Sequence, residues 1–104
     1  MQILCSTGAV TRHPTRADPR LVEEARGLPC DGLELSIYPS WVEEAERVAA
    51  DLADLALPFE TAHAEKAVGA LLSEGDETAS ERLEGSALIA SRVGARLLVL
   101  HLWE

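Results

Sequence analysis

Short apolar runs alternate along the chain with longer segments in which apolar residues recur every three or four positions. The short runs lie at residues 3–7 and in the segments "DGLELSIY", "PFETAHAE" and "RLLVLHLW". Runs of this length are typical of strands, whereas apolar spacing of three and four is typical of amphipathic helices. The pattern predicts the order β-α-β-α-β-α-β, which favours a parallel sheet covered by helices with right-handed crossovers.

Capping residues and glycine mark the expected helix boundaries. Asp18 followed by Pro19 predicts the start of the first helix. Capping boxes at residues 40–43 and 78–81 predict the second helix and a third that begins at Thr78 or Ser80. Gly94 should end the third helix in the left-handed conformation that other residues resist. The stretch "KAVGALLSEGDETASE" is predicted as a long connection.

The second strand segment alternates between apolar and polar residues. Its apolar positions are Leu33, Leu35 and Ile37, and its polar positions are Glu34, Ser36 and Tyr38. Successive strand side chains point to opposite faces, so we expect the apolar set to face the helices and the polar set to face the interior. A carboxylate there needs a partner, because burying an unpaired charge is costly. For Glu34 the candidates are a metal, Lys66, Arg12 or substrate hydroxyls.

The third and fourth strands each carry a histidine near the carboxyl end, where functional groups gather in parallel βα folds. His63 is expected on the same face as Phe59 and Thr61, and His101 interrupts the last apolar run. Histidines together with carboxylates suit a divalent metal or a polyhydroxylated substrate. A hydrogen-bonded core histidine is the alternative for His63, and Trp103 either stacks on a sugar ring or fills a packing gap.

Glu65 and Lys66, just after the third strand, are interpreted as solvated loop residues.

The cysteines Cys5 and Cys30 are interpreted as reduced, small core residues, since their spacing matches no metal-ligand pattern. Dinucleotide-binding, P-loop, hydrolase-elbow and thioredoxin motifs do not occur in the sequence.

Charge and length narrow the functional classes. The 104 residues suit one small domain, and 18 acidic against 9 basic residues give a net charge of −9. A field of this sign repels phosphate backbones and anionic lipids, so neither nucleic acid nor a membrane is an expected partner. The sequence has no long apolar span and no signal-peptide start, which predicts a cytoplasmic protein.

The run "ERLEGSALIASRVGARLLVLH" resembles the fourth-strand region of the xylose isomerase-like TIM barrels, a superfamily of sugar isomerases, sugar phosphate epimerases and the endonuclease IV group. In that family a helix rich in small residues passes through a turn into a strand that ends in histidine. The matching residues are Ala90, Gly94, Ala95, Val99, Leu100 and His101. "DGLEL" with Glu34 resembles the second strand, and "FETAHAE" with His63 resembles the third.

The resemblance implies an α/β fold consisting of a parallel βαβαβαβ segment, the first four strands of a (β/α)8 TIM barrel. Residues 1–104 are then expected to form a single partial domain, the N-terminal half-barrel. The expected partners are a small-molecule sugar and, at the open sheet edges, the missing C-terminal half-barrel or a second copy of the chain.

In the sugar isomerase and epimerase branch, the resemblance implies metal-assisted proton transfer on a sugar, sugar phosphate or hydroxycarbonyl compound. It also implies that the divalent metal (Mn, Mg, Co or Zn) is held by strands five to eight. The segment alone is therefore expected to bind no metal and to be inactive. Its expected contribution is the substrate-lining set Glu34, His63, His101 and Trp103.

Two alternatives remain. In the endonuclease IV branch, the resemblance implies a zinc phosphodiesterase with His63 and His101 as metal ligands. The acidic charge and the ending "HLWE", where that branch usually continues with Pro-Gly, favour the sugar branch. The second alternative is a non-catalytic half-barrel that associates with a second copy of itself.

Overall fold

A computed structural model describes residues 3–7, 27 and 29–101 of the chain. Its strands are β1 (Leu4–Ser6), β2 (Gly32–Ser36), β3 (Phe59–His63) and β4 (Leu97–Val99). They form one sheet in the order β1-β2-β3-β4, and every neighbouring pair is parallel. The predicted α/β class with a parallel sheet is confirmed over this part of the chain. The predicted first helix at Asp18 lies outside the described residues.

The described helical elements are a 3₁₀ helix (Pro39–Glu44) and three α-helices, α1 (Ala45–Asp54), α2 (Ala67–Glu74) and α3 (Thr78–Arg92). Helix α3 packs against both α1 and α2, so the three helices form one layer on one side of the sheet. None of these helices combines the length and the apolar character needed to cross a membrane.

Both predicted capping boxes are wrong in detail. The helical segment after β2 starts as a 3₁₀ turn at Pro39, whose fixed φ suits a first turn, and it has no side-chain cap. Helix α3 starts at Thr78, one of the two predicted positions, but its N-cap residue is Glu77, and the side chain that bonds to its first residue is that of Asp76. The Asp76 carboxylate accepts hydrogen bonds from the Thr78 amide at 2.8 Å and the Thr78 hydroxyl at 2.6 Å. These bonds favour the charged form and lower the pKa of Asp76.

Helix α2 occupies most of the segment predicted as a long connection. The prediction is wrong because Gly69 and Gly75 weaken the local helical pattern, whereas tertiary packing decides the conformation. Val68 and Gly69 are buried, and α2 rests on α3. Gly75 ends the helix with φ at 71°.

The core lies between the helix layer and one face of the sheet. The apolar residues of β2 are buried there, as the alternation predicts. The fully or almost fully buried set is Leu33, Leu35, Ile37, Trp41, Val48, Ala49, Leu52, Phe59, Ala62, Ile89 and Ala90. Close helix approach depends on Gly85 of α3, where a Cβ atom would lie 3.1 Å from the Cβ of Val42. The free thiols of Cys5 and Cys30 pack at the edge of this core.

A β-bulge changes the expected face of Phe59. Leu33 pairs with Phe59, but its neighbour Glu34 pairs with Thr61, so one extra residue is inserted in β3. A bulge of this kind shifts the alternation by one position. Phe59 therefore joins the core on the helix side, while Thr61 and His63 face the opposite side, and the prediction that all three share a face is wrong.

Strand β4 is shorter and less covered than predicted. Only residues Leu97–Val99 pair with β3, and the Leu97 side chain is 59% exposed. The continuous apolar run predicts a strand covered on both faces. In the described part of the chain, β4 is instead an edge strand with only Leu98 packed against the core.

Gly94 has φ at 85°, as predicted, and a Cβ atom there would meet no other atom within 4 Å. We therefore expect Gly94→Ala to destabilise the chain by about 1 kcal/mol through backbone conformation alone. Ala56 has φ at 52°, so Ala56→Gly is the matched opposite change and should stabilise the chain by about 0.5 kcal/mol. Urea unfolding measures both. Equal stability of Gly94→Ala and the wild type would contradict the left-handed assignment.

Candidate functional site

A cleft of about 490 Å³ opens at the carboxyl ends of β2 and β3. Parallel strands bring their carboxyl ends to one edge of a sheet, and this edge is the usual location of sites in such folds. The lining combines apolar side chains with a few polar groups, as in most small-molecule sites. The lining residues are Ser36, Ile37, Tyr38, Pro39, His63, Ala64, Glu65, Lys66 and His101.

His63 and His101 stack on each other at the wall of the cleft. Their ring centroids lie 4.6 Å apart and the ring planes are inclined by 25°. Sheet register explains the contact, since His63 pairs with Val99 and His101 follows two residues later. The Nδ1 atom of His63 lies 3.1 Å from the Ala64 carbonyl oxygen. A carbonyl only accepts, so Nδ1 carries the proton and Nε2 is the acceptor nitrogen.

The stacked rings do not fit a shared metal ion. A zinc ion lies about 2.0–2.1 Å from each histidine nitrogen and close to the plane of each ring. Because the two ring planes are inclined by only 25°, with centroids 4.6 Å apart, they do not meet at a point within zinc-bonding distance of a nitrogen of each ring. Across residues 3–7, 27 and 29–101, no group of three or more His, Cys, Asp or Glu side chains is arranged to hold a metal. One ring would have to turn before the pair ligated an ion.

Glu34 lies on the same sheet face as the cleft, but two residues before Ser36 and therefore farther from the carboxyl end of β2. It pairs in register with Ser6 on one side and Thr61 on the other. Its carboxylate accepts a hydrogen bond from the Thr61 hydroxyl at 3.1 Å. Thr61 is thus a partner of Glu34 that was not among the predicted candidates. Glu34 does not line the cleft, whereas His63 and His101 do.

Ser36 is held at the cleft by hydroxyl groups at the end of β1 and just after it. Its amide donates to the Thr7 hydroxyl at 2.9 Å, and its own hydroxyl lies 3.1 Å from that of Ser6. The Ser36 amide can only donate, so the Thr7 hydroxyl is the acceptor, and Thr7 itself is buried. The end of β2 is therefore tied to β1 by side chains as well as by the sheet.

Glu65 is buried, so its interpretation as a solvated loop residue is wrong. Its carboxylate accepts a hydrogen bond from the Arg82 guanidinium at 2.6 Å and another from the Ala67 amide at 2.9 Å. Arg82 also donates to the Pro39 carbonyl at 3.2 Å, and its hydrogen bond to Glu65 raises the pKa of the guanidinium. One arginine of α3 thereby braces the loops after β2 and β3.

The two tryptophans are placed differently by the structure. Trp41 is buried and meets the ring of Tyr38 edge-on, with ring centroids 5.2 Å apart, so it has a packing role beneath the cleft. Trp103 lies outside the described residues.

The brace formed by Arg82 and Glu65 could not be found from the sequence. The two residues lie in different elements, 17 positions apart, and each carries the common charge of an exposed helix or loop. The position of Glu65 at the end of a strand was the available indication, because strand ends in this architecture converge on one site.

Comparisons with protein-family models, with curated proteins and with solved structures find no match to this chain.

Arg82→Met should destabilise the chain by about 3 kcal/mol, because it leaves a buried carboxylate without its charge partner. Replacing Glu65 by Gln in the same chain should recover part of this loss, since an amide carries no charge. Arg92→Met is the matched control on the same helix, where the side chain is half exposed and lies 4.0 Å from its acidic partner; we expect a change within about 0.5 kcal/mol. Urea unfolding of the wild type, Arg82→Met, Glu65→Gln and the double variant forms a double-mutant cycle. Equal losses in Arg82→Met and Arg92→Met would refute the brace.

Proposed function

We propose that this chain forms the first four βα steps of a closed parallel barrel of the xylose isomerase-like kind. In this proposal the cleft binds the sugar substrate of an isomerase or epimerase. The observation that carries the proposal is the pair of stacked histidines beside Ser36 at the carboxyl ends of neighbouring parallel strands.

The order of the strands supports the barrel. Doubly wound sheets reverse their strand order at a switch point and carry helices on both faces. In a TIM barrel the strands follow one another in sequence order, and the helices form a single outer layer. Two features of the described residues support the second arrangement: the sheet order is β1-β2-β3-β4, and the described helices pack against one another on one side.

The face away from the helices supports a polar interior near the cleft. The residues in register on this face at the strand ends are Ser6, Glu34, Ser36, Thr61 and His63. In a closed barrel this face would point inward, and hydroxyl, carboxylate and imidazole groups would line the space that receives the substrate.

The chemistry of the cleft suits a polyhydroxylated molecule. Nε2 of His63 accepts a hydrogen bond, and the hydroxyl of Ser36 both donates and accepts. Tyr38, Pro39 and Ala64 provide apolar surface for the C–H faces of a sugar. The role of this chain is therefore to bind and orient the sugar. We assign no proton transfer to it, since His63 and His101 do not share a metal position and Glu34 lies outside the cleft.

Titration of isotope-labelled chain with D-xylose and D-glucose, followed by NMR, tests this proposal. We expect the imidazole resonances of His63 and His101 to shift with a millimolar dissociation constant, without any isomerisation of the sugar. His101→Ala should weaken binding about fivefold, because it removes one face of the stack. Ser36→Ala should also weaken binding, whereas Ser91→Ala, on an exposed position of α3, should not. Shifts confined to residues away from the cleft, or sugar turnover by the chain alone, would contradict the assigned role.

The zinc phosphodiesterase alternative receives less support. It requires His63 and His101 to ligate one ion, and the stacked rings do not converge on a common point. The net charge of −9 also opposes the approach of a nucleic acid backbone.

A self-associating half-barrel is supported by one observation. The two large apolar side chains that are most exposed among the described residues are Ile3, beside β1, and Leu97, on β4. These positions adjoin the two outer strands of the sheet, and parallel pairing of β4 with β1 of a second copy would cover both. Self-association and sugar binding are compatible, because the cleft lies at the strand ends and the edges lie at the sides.

Light scattering at increasing protein concentration tests the association. If two copies pair through their edges, the wild type should reach the mass of a dimer. Leu97→Glu should remain a monomer, because dimer formation would bury the new charge in the interface. Ala53→Glu is the control, because it adds the same charge at an exposed position of α1. A wild type that stays monomeric at high concentration would refute self-association.

A further inference from the structure

The cationic side chains of the described residues are almost all paired with carboxylates. Arg82 pairs with Glu65, and Arg96 lies 3.0 Å from Glu60. The other pairs are Arg47 with Glu44 and Arg92 with Glu46. Lys66 is the one lysine or arginine in this part of the chain that forms no ion pair, and it lines the cleft.

The charge of the cleft is therefore opposite to that of the whole chain. Glu65 is the one carboxylate among the lining residues that the structure describes, and Arg82 neutralises it. Lys66 is exposed and remains as the uncompensated charge. A positive group that lacks a partner in a chain of net charge −9 marks a place where an anion is favoured.

The position of Lys66 in the fold adds a second argument. Lys66 occupies the N-cap of α2 and forms no side-chain cap. Cations are disfavoured there by the helix dipole, and Asn, Asp or Ser would cap the helix better. Residues that break a local rule in this way are expected where function requires them. An anion beside Lys66 would interact favourably with both the ammonium group and the positive end of α2.

We propose that the cleft takes an anionic ligand, a sugar or polyol that bears a phosphate or carboxylate group, with Lys66 as its counterion. This inference rests on the proposed sugar-binding function and narrows its substrate class. The cleft volume of about 490 Å³ lies in the range of small-ligand sites, which is enough for a hexose with one anionic substituent. The Ala67 amide at the start of α2 already bonds to Glu65, so the anion contacts the lysine rather than that amide.

The experiment compares four probes by NMR titration of the labelled 104-residue chain: D-glucose, D-glucose 6-phosphate, D-gluconate and inorganic phosphate. We expect glucose 6-phosphate or gluconate to bind at least fivefold more tightly than glucose, and this advantage should shrink at high ionic strength. Whichever of these two ligands binds more tightly shows whether the cleft prefers a phosphate or a carboxylate group.

Matched variants assign the effect to Lys66. Lys66→Asn should abolish the advantage, so that glucose 6-phosphate and gluconate bind no more tightly than glucose. It should also raise the melting temperature, because Asn caps a helix, so loss of binding would not reflect unfolding. Lys66→Arg should retain the advantage. Arg92→Gln also removes one positive charge, but at the end of α3 that lies away from the cleft. It should leave the affinities of all four probes unchanged.

The outcomes separate this inference from the function on which it rests. If glucose binds the cleft and an anionic group adds no affinity, or if Lys66→Asn keeps the advantage, the counterion role is wrong and sugar binding stands. If inorganic phosphate binds at Lys66 as tightly as glucose 6-phosphate and glucose does not bind, the anion site stands and the sugar function is wrong. If no probe shifts the cleft resonances, both are wrong.

Discussion

Parallel pairing of β3 with its two neighbours is the constraint on which the cleft depends. One ladder sets Ser36 beside His63, and the other sets His63 beside Val99, two residues before His101. Residues in register share a face, so the stacked histidines and the serine hydroxyl follow directly from the pairing. A slip of one residue would turn His63 toward the helices and bring the buried Ala62 into the cleft. The bulge in β3 therefore matters, because it sets which residues of that strand face each side.

The helix layer also holds the ends of β2 and β3 in place, through contacts to the loops that follow them. Arg82 reaches from α3 to the buried carboxylate of Glu65 and to the carbonyl of Pro39, so the loops that follow β2 and β3 are held against one helix. This brace also neutralises Glu65, the only carboxylate among the described residues that line the cleft, so Lys66 is the charge that remains there. A contact that looks purely structural thus determines the electrostatic character of the proposed site. The two effects are linked because a buried carboxylate must be neutralised by some partner.

The proposed barrel explains why the sheet has two different faces. In the part of the chain that the structure describes, one face is apolar and packs under a layer of helices, while the other presents hydroxyl, carboxylate and imidazole groups near the strand ends. An open sheet with helices on both sides would make a polar face of this kind costly to bury. In a closed barrel the same groups would surround a substrate. Sequential strand order and a one-sided helix layer are the features that favour the barrel over a doubly wound sheet.

The sequence by itself determined the α/β class, the four strand positions and the apolar face of β2, because local periodicity reports which residues a sheet must bury. It also located the turn at Gly94, where a positive φ selects glycine. Only the tertiary structure decided that residues 67–74 form a helix, that the Asp76 carboxylate bonds to the first residue of α3 and that Phe59 turns into the core. The stacking of His63 on His101 and the burial of Glu65 also depend on long-range register and on Arg82. These features join residues far apart in the chain, and the free energy that selects them comes from packing and charge pairing between elements rather than from neighbours in sequence.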